Sequence, residues 1–197
     1  MVKVGVIGLQ GDVSEHIDAT KRTLKNLGVS GEVIWLRRKE QLEDVSALII
    51  PGGESTTISR LMERNGLLEP VRKLGEDGLP IMGTCAGLIM LSKEVIGATP
   101  GQRFLNLLDV RVSRNAYGRQ VDSFEAPVKL SFSEEPFPGV FIRAPRILGL
   151  LSERAEPIAW LGDRPVGVEQ KNIIGLEFHP ELTEDARVHE YFLEKAL

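Results

Sequence analysis

The chain has 197 residues, 42% hydrophobic and 26% charged, an ordinary composition for a globular domain with a substantial core. A formal net charge of -4 with Lys and Arg spread evenly leaves no basic stripe for nucleic acid, and no apolar run approaches the ~20 residues that span a bilayer. One cysteine and three histidines leave no internal disulfide and little for a metal site; with no signal-peptide pattern at the N terminus, they point to a cytoplasmic protein without a metal or other cofactor.

Val2 to Leu9 is a nearly continuous apolar run, the pattern of a strand buried on both faces. A helix over about Ser14 to Leu27 follows, with Ile17, Thr20, Leu24 and Leu27 on one face, and then a strand at Val33 to Leu36. His16 reads as a helix-surface position. Gly8-Leu-Gln-Gly11 lacks the full G-x-G-x-x-G dinucleotide pattern and reads as tight-turn chemistry. Ala47 to Ile50 is the next buried strand, running into Pro51-Gly-Gly-Glu-Ser55 before a helix through Ile58, Leu61 and Met62. Two readings of that turn stand: glycines whose backbone N–H groups meet a developing negative charge at a sheet's carboxyl edge, or a plain turn with Ser55 or Thr56 capping the helix.

A helix at Leu67 to Glu76 leads to Pro80-Ile-Met-Gly-Thr-Cys-Ala-Gly-Leu-Ile-Met-Leu91. Ile81 and Met82 end a strand and Ala86 to Leu91 begin a helix, so Cys85 sits on the turn between them. Gly83 and Gly87 flank it as G-x-C-x-G, the thiol counterpart of a nucleophile elbow. The helix N-terminus beside the sulfur supplies the positive field a nucleophilic thiolate needs. A lone cysteine is otherwise a small buried hydrophobe, so a base must be found elsewhere.

After Glu94 the chain is strand-rich: Leu107 to Val112, Ala126 to Phe132, Val140 to Ile142, Ile158 to Leu161, Val166 to Glu169 and Ile173 to Phe178. The last of these delivers His179-Pro180-Glu181 at its carboxyl end. Proline stiffens the tripeptide, so Glu181 can orient the His179 imidazole toward a nucleophile; the alternatives are that His179 caps a strand and Glu181 begins a helix-entry turn, or that Glu181 pairs with an arginine. A final helix covers about Asp185 to Leu197, with His189 read as a surface position. No linker or repeat divides the chain. The expected fold is α/β: one domain over residues 1–197, a three-layer open sheet, mostly parallel, with helices on both faces and a strand-rich C-terminal half.

Pro51-Gly-Gly-Glu-Ser55, Gly83-Thr-Cys-Ala-Gly87 and His179-Pro-Glu181, in this order, resemble the class I (triad) glutamine amidotransferases. Gly8-Leu-Gln-Gly11, Arg114-Asn115, Gly118-Arg-Gln-Val-Asp-Ser-Phe-Glu125, Val140-Phe-Ile-Arg-Ala-Pro145 and His179-Pro-Glu-Leu-Thr183 narrow the resemblance to glutaminase subunits of pyridoxal 5'-phosphate synthases. The Thr99 to Leu107 connection carries no motif. The resemblance implies hydrolysis of L-glutamine to glutamate and ammonia, with Cys85, His179 and Glu181 as triad and Gly53 and Ala86 as oxyanion donors. Gly53, Glu54, Ser55, Arg114, Ile142 and Arg143 would line the glutamine site. The ammonia would pass to a synthase subunit, a β/α barrel in this family, whose docking would reorient the Gly52-Gly53 peptide. The alternatives are another amidotransferase pathway, a cysteine hydrolase or peptidase on a related scaffold, and a non-enzymatic partner subunit.

Overall fold

The computed structural model describes residues 1–114 and 123–197. In chain order its elements are β1 (Val2–Ile7), α1 (Val13–Asn26), β2 (Gly31–Leu36), β3 (Ala47–Ile50), α2 (Ser55–Arg64), α3 (Leu68–Glu76), β4 (Ile81–Thr84), α4 (Ala86–Leu91), β5 (Ser92–Ile96), β6 (Leu108–Ser113), β7 (Ser123–Leu130), β8 (Ser133–Ile142), β9 (Arg146–Leu150), β10 (Glu156–Leu161), β11 (Arg164–Gln170), β12 (Ile173–Leu176) and α5 (Arg187–Glu194). Short 3₁₀ turns occupy Lys39–Leu42 and Pro180–Leu182. None of the described helices is long and apolar enough to cross a membrane.

One large sheet runs β2-β1-β3-β4-β12-β11-β10-β7-β8. Its first half, through β12, is parallel, and its second half is antiparallel. The sheet is therefore mixed, and the division falls where the chain changes from strand-helix alternation to consecutive strands. Apolar residues alternate across the parallel strands. Leu48, Ile50 and Ile81 join one core with Ile58 and Met62 of α2 and Val71 of α3. Ala47, Ile49 and Met82 join the other with Val13 and Leu24 of α1 and Val188, Phe192 and Leu193 of α5. Buried strands with no polar face need helices on both sides, and the chain supplies them.

A second sheet, β5-β6-β9, packs Leu108, Val110, Val112 and Ile147 onto the α2–α4 side. β5 and β9 are not anticipated by the apolar pattern. Ser92 ends α4 by turning extended and donating its hydroxyl to Leu88 O at 2.7 Å, so the helix after Cys85 is six residues long. Ser92 and Glu94 to Ile96 then pair in parallel with β6, with an irregularity at Lys93.

The carboxyl ends of β1, β3, β4 and β12 share one edge of the parallel half. They release, in turn, the Gly8–Asp12 turn, the Pro51–Glu54 turn, Cys85 and His179. In open α/β sheets this edge is where ligands bind. The predicted Asn115 and Gly118 to Asp122 positions lie outside the described residues.

Candidate active site

Cys85 occupies the single-residue turn between β4 and α4 with φ 51 and ψ -105, a conformation that costs a non-glycine residue on the order of 1–3 kcal/mol. Its neighbours explain how the turn persists. The Cys85 amide donates to Leu176 O at 2.8 Å, tying the elbow to β12. A Cβ on Gly87 would meet Ile50 O at 2.0 Å, and one on Gly83 would meet Gly87 O at 2.5 Å, so only glycines let α4 begin directly against β3 and β4. Cys85 is 7% exposed, and its thiol is directed at Ile142 O, 3.8 Å from Sγ.

His179 leaves β12 with its amide donating to Val140 O at 2.8 Å, and Pro180 starts the 3₁₀ turn that carries Glu181. The turn brings Glu181 Oε1 to 2.6 Å from His179 Nδ1, with both side chains buried. A second carboxylate reaches the same nitrogen: Asp12 Oδ2, from the residue before α1, lies at 3.3 Å. Burial opposes charge on the imidazole, but its contacts with Asp12, Cys85 and Glu181 overcome it and raise its pKa to about 12. Asp12 is lowered in return, chiefly by its hydrogen bond to His179, while burial pushes Glu181 up. His179 Nε2 is buried without a hydrogen bond, left open beside the thiol. A thiol, an imidazole and a carboxylate so arranged can act chemically as nucleophile, base and orienter.

Asp12, His179 and Glu181 also set one imidazole nitrogen and two carboxylate oxygens within 4.8 Å of one another. The two carboxylates already share the His179 nitrogen, so hydrogen bonding accounts for the cluster.

The Pro51–Ser55 turn closes the site. A Cβ on Gly52 would meet His179 Cε1 at 2.4 Å and Asp12 Oδ2 at 2.9 Å, so the glycine lets the backbone lie flat against the imidazole. Gly53 has φ +140, and the adjoining Glu54 amide donates to Gln10 Oε1 at 2.7 Å. α2 is capped by Glu54 and not by Ser55 or Thr56. Its carboxylate accepts from Thr56 N at 3.0 Å and Thr57 N at 2.8 Å, which outweighs the effect of burial and lowers its pKa. Arg114 Nη2 pairs with Glu54 Oε1 at 2.8 Å, while Arg114 Nη1 donates to Thr99 Oγ1 and Gln102 Oε1, each at 3.2 Å. Gln102 in turn donates to Ser55 Oγ at 3.2 Å. Glu54, Ser55 and Arg114 thus form one connected group, and the Thr99 to Leu107 connection, which carries no sequence motif, supplies its struts.

Ile142 offers its carbonyl to the sulfur and is followed by Arg143 at φ 43, an exposed position at the same rim. Ala86 is the first residue of α4, where helix amides lack intrahelical partners. His16 and His189 are a correction to the sequence reading: they are 0% and 1% exposed, not on helix surfaces. The signal was available for His16, which shares a stripe with Val13, Thr20 and Leu24 at helical spacing. Asp12 and Gln10 left only a glycine-flanked turn as a trace.

A thiol on a strained strand-to-helix elbow, with an imidazole and a carboxylate at the carboxyl edge of a parallel half-sheet, places the chain among α/β proteins built around a nucleophile elbow. A solved protein titled a glutamine amidotransferase superposes with a TM-score of 0.86 at 49% identity, covering 98% of each chain. PurLQS from Thermotoga maritima shares the fold, with a TM-score of 0.64 at 17% identity over 98% of this chain and 94% of that one. The chain belongs to the SNO glutamine amidotransferase family, whose profile matches residues 6–197. It is 84% identical to pyridoxal 5'-phosphate synthase subunit PdxT of Thermococcus gammatolerans over 100% of both chains. Identity to the subunit of the same name from Methanosarcina barkeri is 48%, over 98% of each chain.

Proposed function

We propose that this chain, acting as one domain over residues 1–197 in the cytoplasm, is a glutaminase that hydrolyses L-glutamine and passes the ammonia to a pyridoxal 5'-phosphate synthase subunit. The observation that carries the reading is the convergence of Cys85, His179 and Glu181 at one sheet edge, with His179 Nδ1 bound to Glu181 and Nε2 open beside the thiol. The 84% identity to a synthase subunit over the whole chain supports the pathway.

In this mechanism the Cys85 sulfur attacks the carboxamide carbon of glutamine, and the imidazolium of His179 gives its proton to the departing nitrogen as the C–N bond breaks. Ammonia leaves and a glutamyl thioester remains. Neutral His179 then takes a proton from water, whose oxygen attacks the thioester carbon; the C–S bond breaks, releasing glutamate and restoring the sulfur. Glu181 keeps the imidazole in the required tautomer throughout. The oxyanion of each tetrahedral intermediate is assigned to the amides of Gly53 and Ala86, where losing one donor costs about 3 kcal/mol of barrier. Glu54, Ser55, Arg114, Ile142 and Arg143 are assigned to the two charged ends of the amino acid, an arginine suiting its carboxylate.

The acceptor is a synthase subunit of β/α-barrel form. Its docking reorients the Gly52-Gly53 peptide, whose carbonyl now lies against Gly11, where a Cβ would meet Gly52 O at 1.6 Å. The test is co-purification with a synthase subunit followed by ammonia release from glutamine and glutamine-dependent formation of pyridoxal 5'-phosphate. Cys85→Ala is expected to abolish ammonia release while exogenous ammonium still supports the synthase. Retained glutaminase activity in that variant refutes the mechanism, and equal turnover with and without the partner refutes the docking step.

A further inference from the structure

The proposed chemistry uses one histidine, yet the remaining two lie buried behind it. A fully buried imidazole must place both ring nitrogens against partners. His16 Nε2 lies 2.9 Å from Thr84 Oγ1 and 3.3 Å from Glu181 Oε2, and His16 Nδ1 lies 3.5 Å from His189 Nε2. Thr84 immediately precedes Cys85, and Glu181 holds His179. One nitrogen of one side chain therefore meets both Glu181 and the residue that precedes Cys85. Glu181 Oε2 is buried and meets no donor in hydrogen-bond geometry, which leaves His16 Nε2 as the donor standing next to it.

The carboxylate decides the tautomer. With the His16 proton on Nδ1, the lone pair of Nε2 would face a carboxylate oxygen at 3.3 Å. With the proton on Nε2, it lies between Thr84 Oγ1 and Glu181 Oε2, and Nδ1 accepts from His189 Nε2–H. The charged and titratable groups around His16 and His189 are His179, just before the 3₁₀ turn, Glu181 within it and Arg22 of α1. Burial, then neighbouring positive charge, holds His16 well below its ordinary pKa and His189 at about 4, so both are neutral near pH 7.

We propose that His16 is a positioning residue for the glutaminase reaction: its Nε2–H tautomer, fixed by His189, ties Glu181 to Thr84 and thereby sets the His179 imidazole against the Cys85 sulfur. The proposal rests on the glutaminase reading above. Its first test does not: nitrogen NMR of the full-length wild-type chain labelled at histidine is expected to show His16 neutral and protonated at Nε2 from pH 6 to 8, and an Nδ1–H form overturns it. Failure of the glutaminase reading shows differently, as wild-type protein with its synthase partner releasing no ammonia.

In that complex His16→Leu is expected to lower kcat about 10- to 100-fold, with KM for glutamine within about 2-fold, because misplacement of the base by a fraction of an ångström acts on the chemical step. Glu181 without the neighbouring His16 N–H is a more basic carboxylate and holds the imidazolium more firmly, so alkylation of Cys85 by iodoacetamide keeps its alkaline plateau to higher pH. His16→Gln, whose amide nitrogen reaches the place of Nε2, is expected to recover most of kcat. Unchanged kcat in His16→Leu, or equal losses in both variants with an unmoved alkaline limit, overturns the proposal. Should His16→Leu not fold, His189→Phe carries the same test, since it removes the donor that fixes the tautomer: kcat falls while KM holds, and unchanged kcat overturns it.

Discussion

His179 Nδ1 faces two carboxylates at once, Glu181 Oε1 at 2.6 Å and Asp12 Oδ2 at 3.3 Å. The buried partner orients the ring; the half-exposed one adds charge. Asp12→Asn keeps the shape and removes that charge, so the imidazolium is expected to deprotonate at lower pH, which an NMR titration of His179 reads directly. The Asp12 side chain is 38% exposed, so solvent screening limits the change in stability to about 1 kcal/mol or less. The sign is fixed by the lowered pKa of Asp12: its contribution is present above the ordinary carboxylate value of about 3.9 and vanishes as pH falls through the lower folded value.

The elbow stores backbone strain at the proposed nucleophile. Cys85 has φ 51 and ψ -105, which glycine adopts freely and alanine does not. Cys85→Gly is expected to be more stable than Cys85→Ala by about 1 kcal/mol, after the entropy of glycine is set against the relief of strain. At an unstrained site the order is reversed. Urea denaturation of the two inactive variants measures the difference, and glutaminase assays of both are expected to read zero.

Acid should loosen this protein through its hidden imidazoles. His189 is held at about 4 by burial and by Arg22, and His16 lies well below 6.5, so the unfolded chain binds protons that the folded one refuses. A depressed histidine contributes stability that is complete above about 6.5 and is lost as pH falls toward the folded value. Between these limits each group contributes a slope of about 1.4 kcal/mol per pH unit. His189→Phe is expected to remove about one proton's worth of that slope between pH 6 and 4, measured as the difference in unfolding free energy between variant and wild type.

The residues proposed for the bond-breaking were legible as a group because their surroundings constrain the sequence locally. Cys85 needs Gly83 and Gly87 for α4 to start against Ile50 O, and His179 and Glu181 need only the two-residue reach that Pro180 stiffens. The buried strands were legible for a similar reason, since Ala47 to Ile50 feeds two cores by simple alternation. The supports were not. Asp12 reaches His179 across the sheet edge, and Thr99 and Gln102 meet Arg114 through a connection with no periodic pattern. The capping role went to Glu54 over Ser55 because a carboxylate takes two helix amides and an arginine together, a choice made by tertiary contact.

The two halves of the Pro51–Ser55 turn are expected to separate in kinetics. Gly52 backs the imidazole: in Gly52→Ala the new methyl would enter the space of His179 Cε1, 2.4 Å away, and of Asp12 Oδ2. The ring must move, and a displacement of this size costs on the order of 100-fold in kcat. Glu54 instead faces Arg114 at 2.8 Å and caps α2 through Thr56 and Thr57. Glu54→Ala is expected to destabilise the chain by about 1 kcal/mol through the lost cap. By releasing Arg114 from its partner it should also raise KM for glutamine about 10-fold or more, the worth of one charge-assisted contact, with a smaller effect on kcat. Steady-state ammonia release by both variants in the synthase complex decides the matter. A kcat loss in Glu54→Ala as large as that in Gly52→Ala, at unchanged KM, would remove Glu54 from the substrate side of the site and place it with the chemical groups.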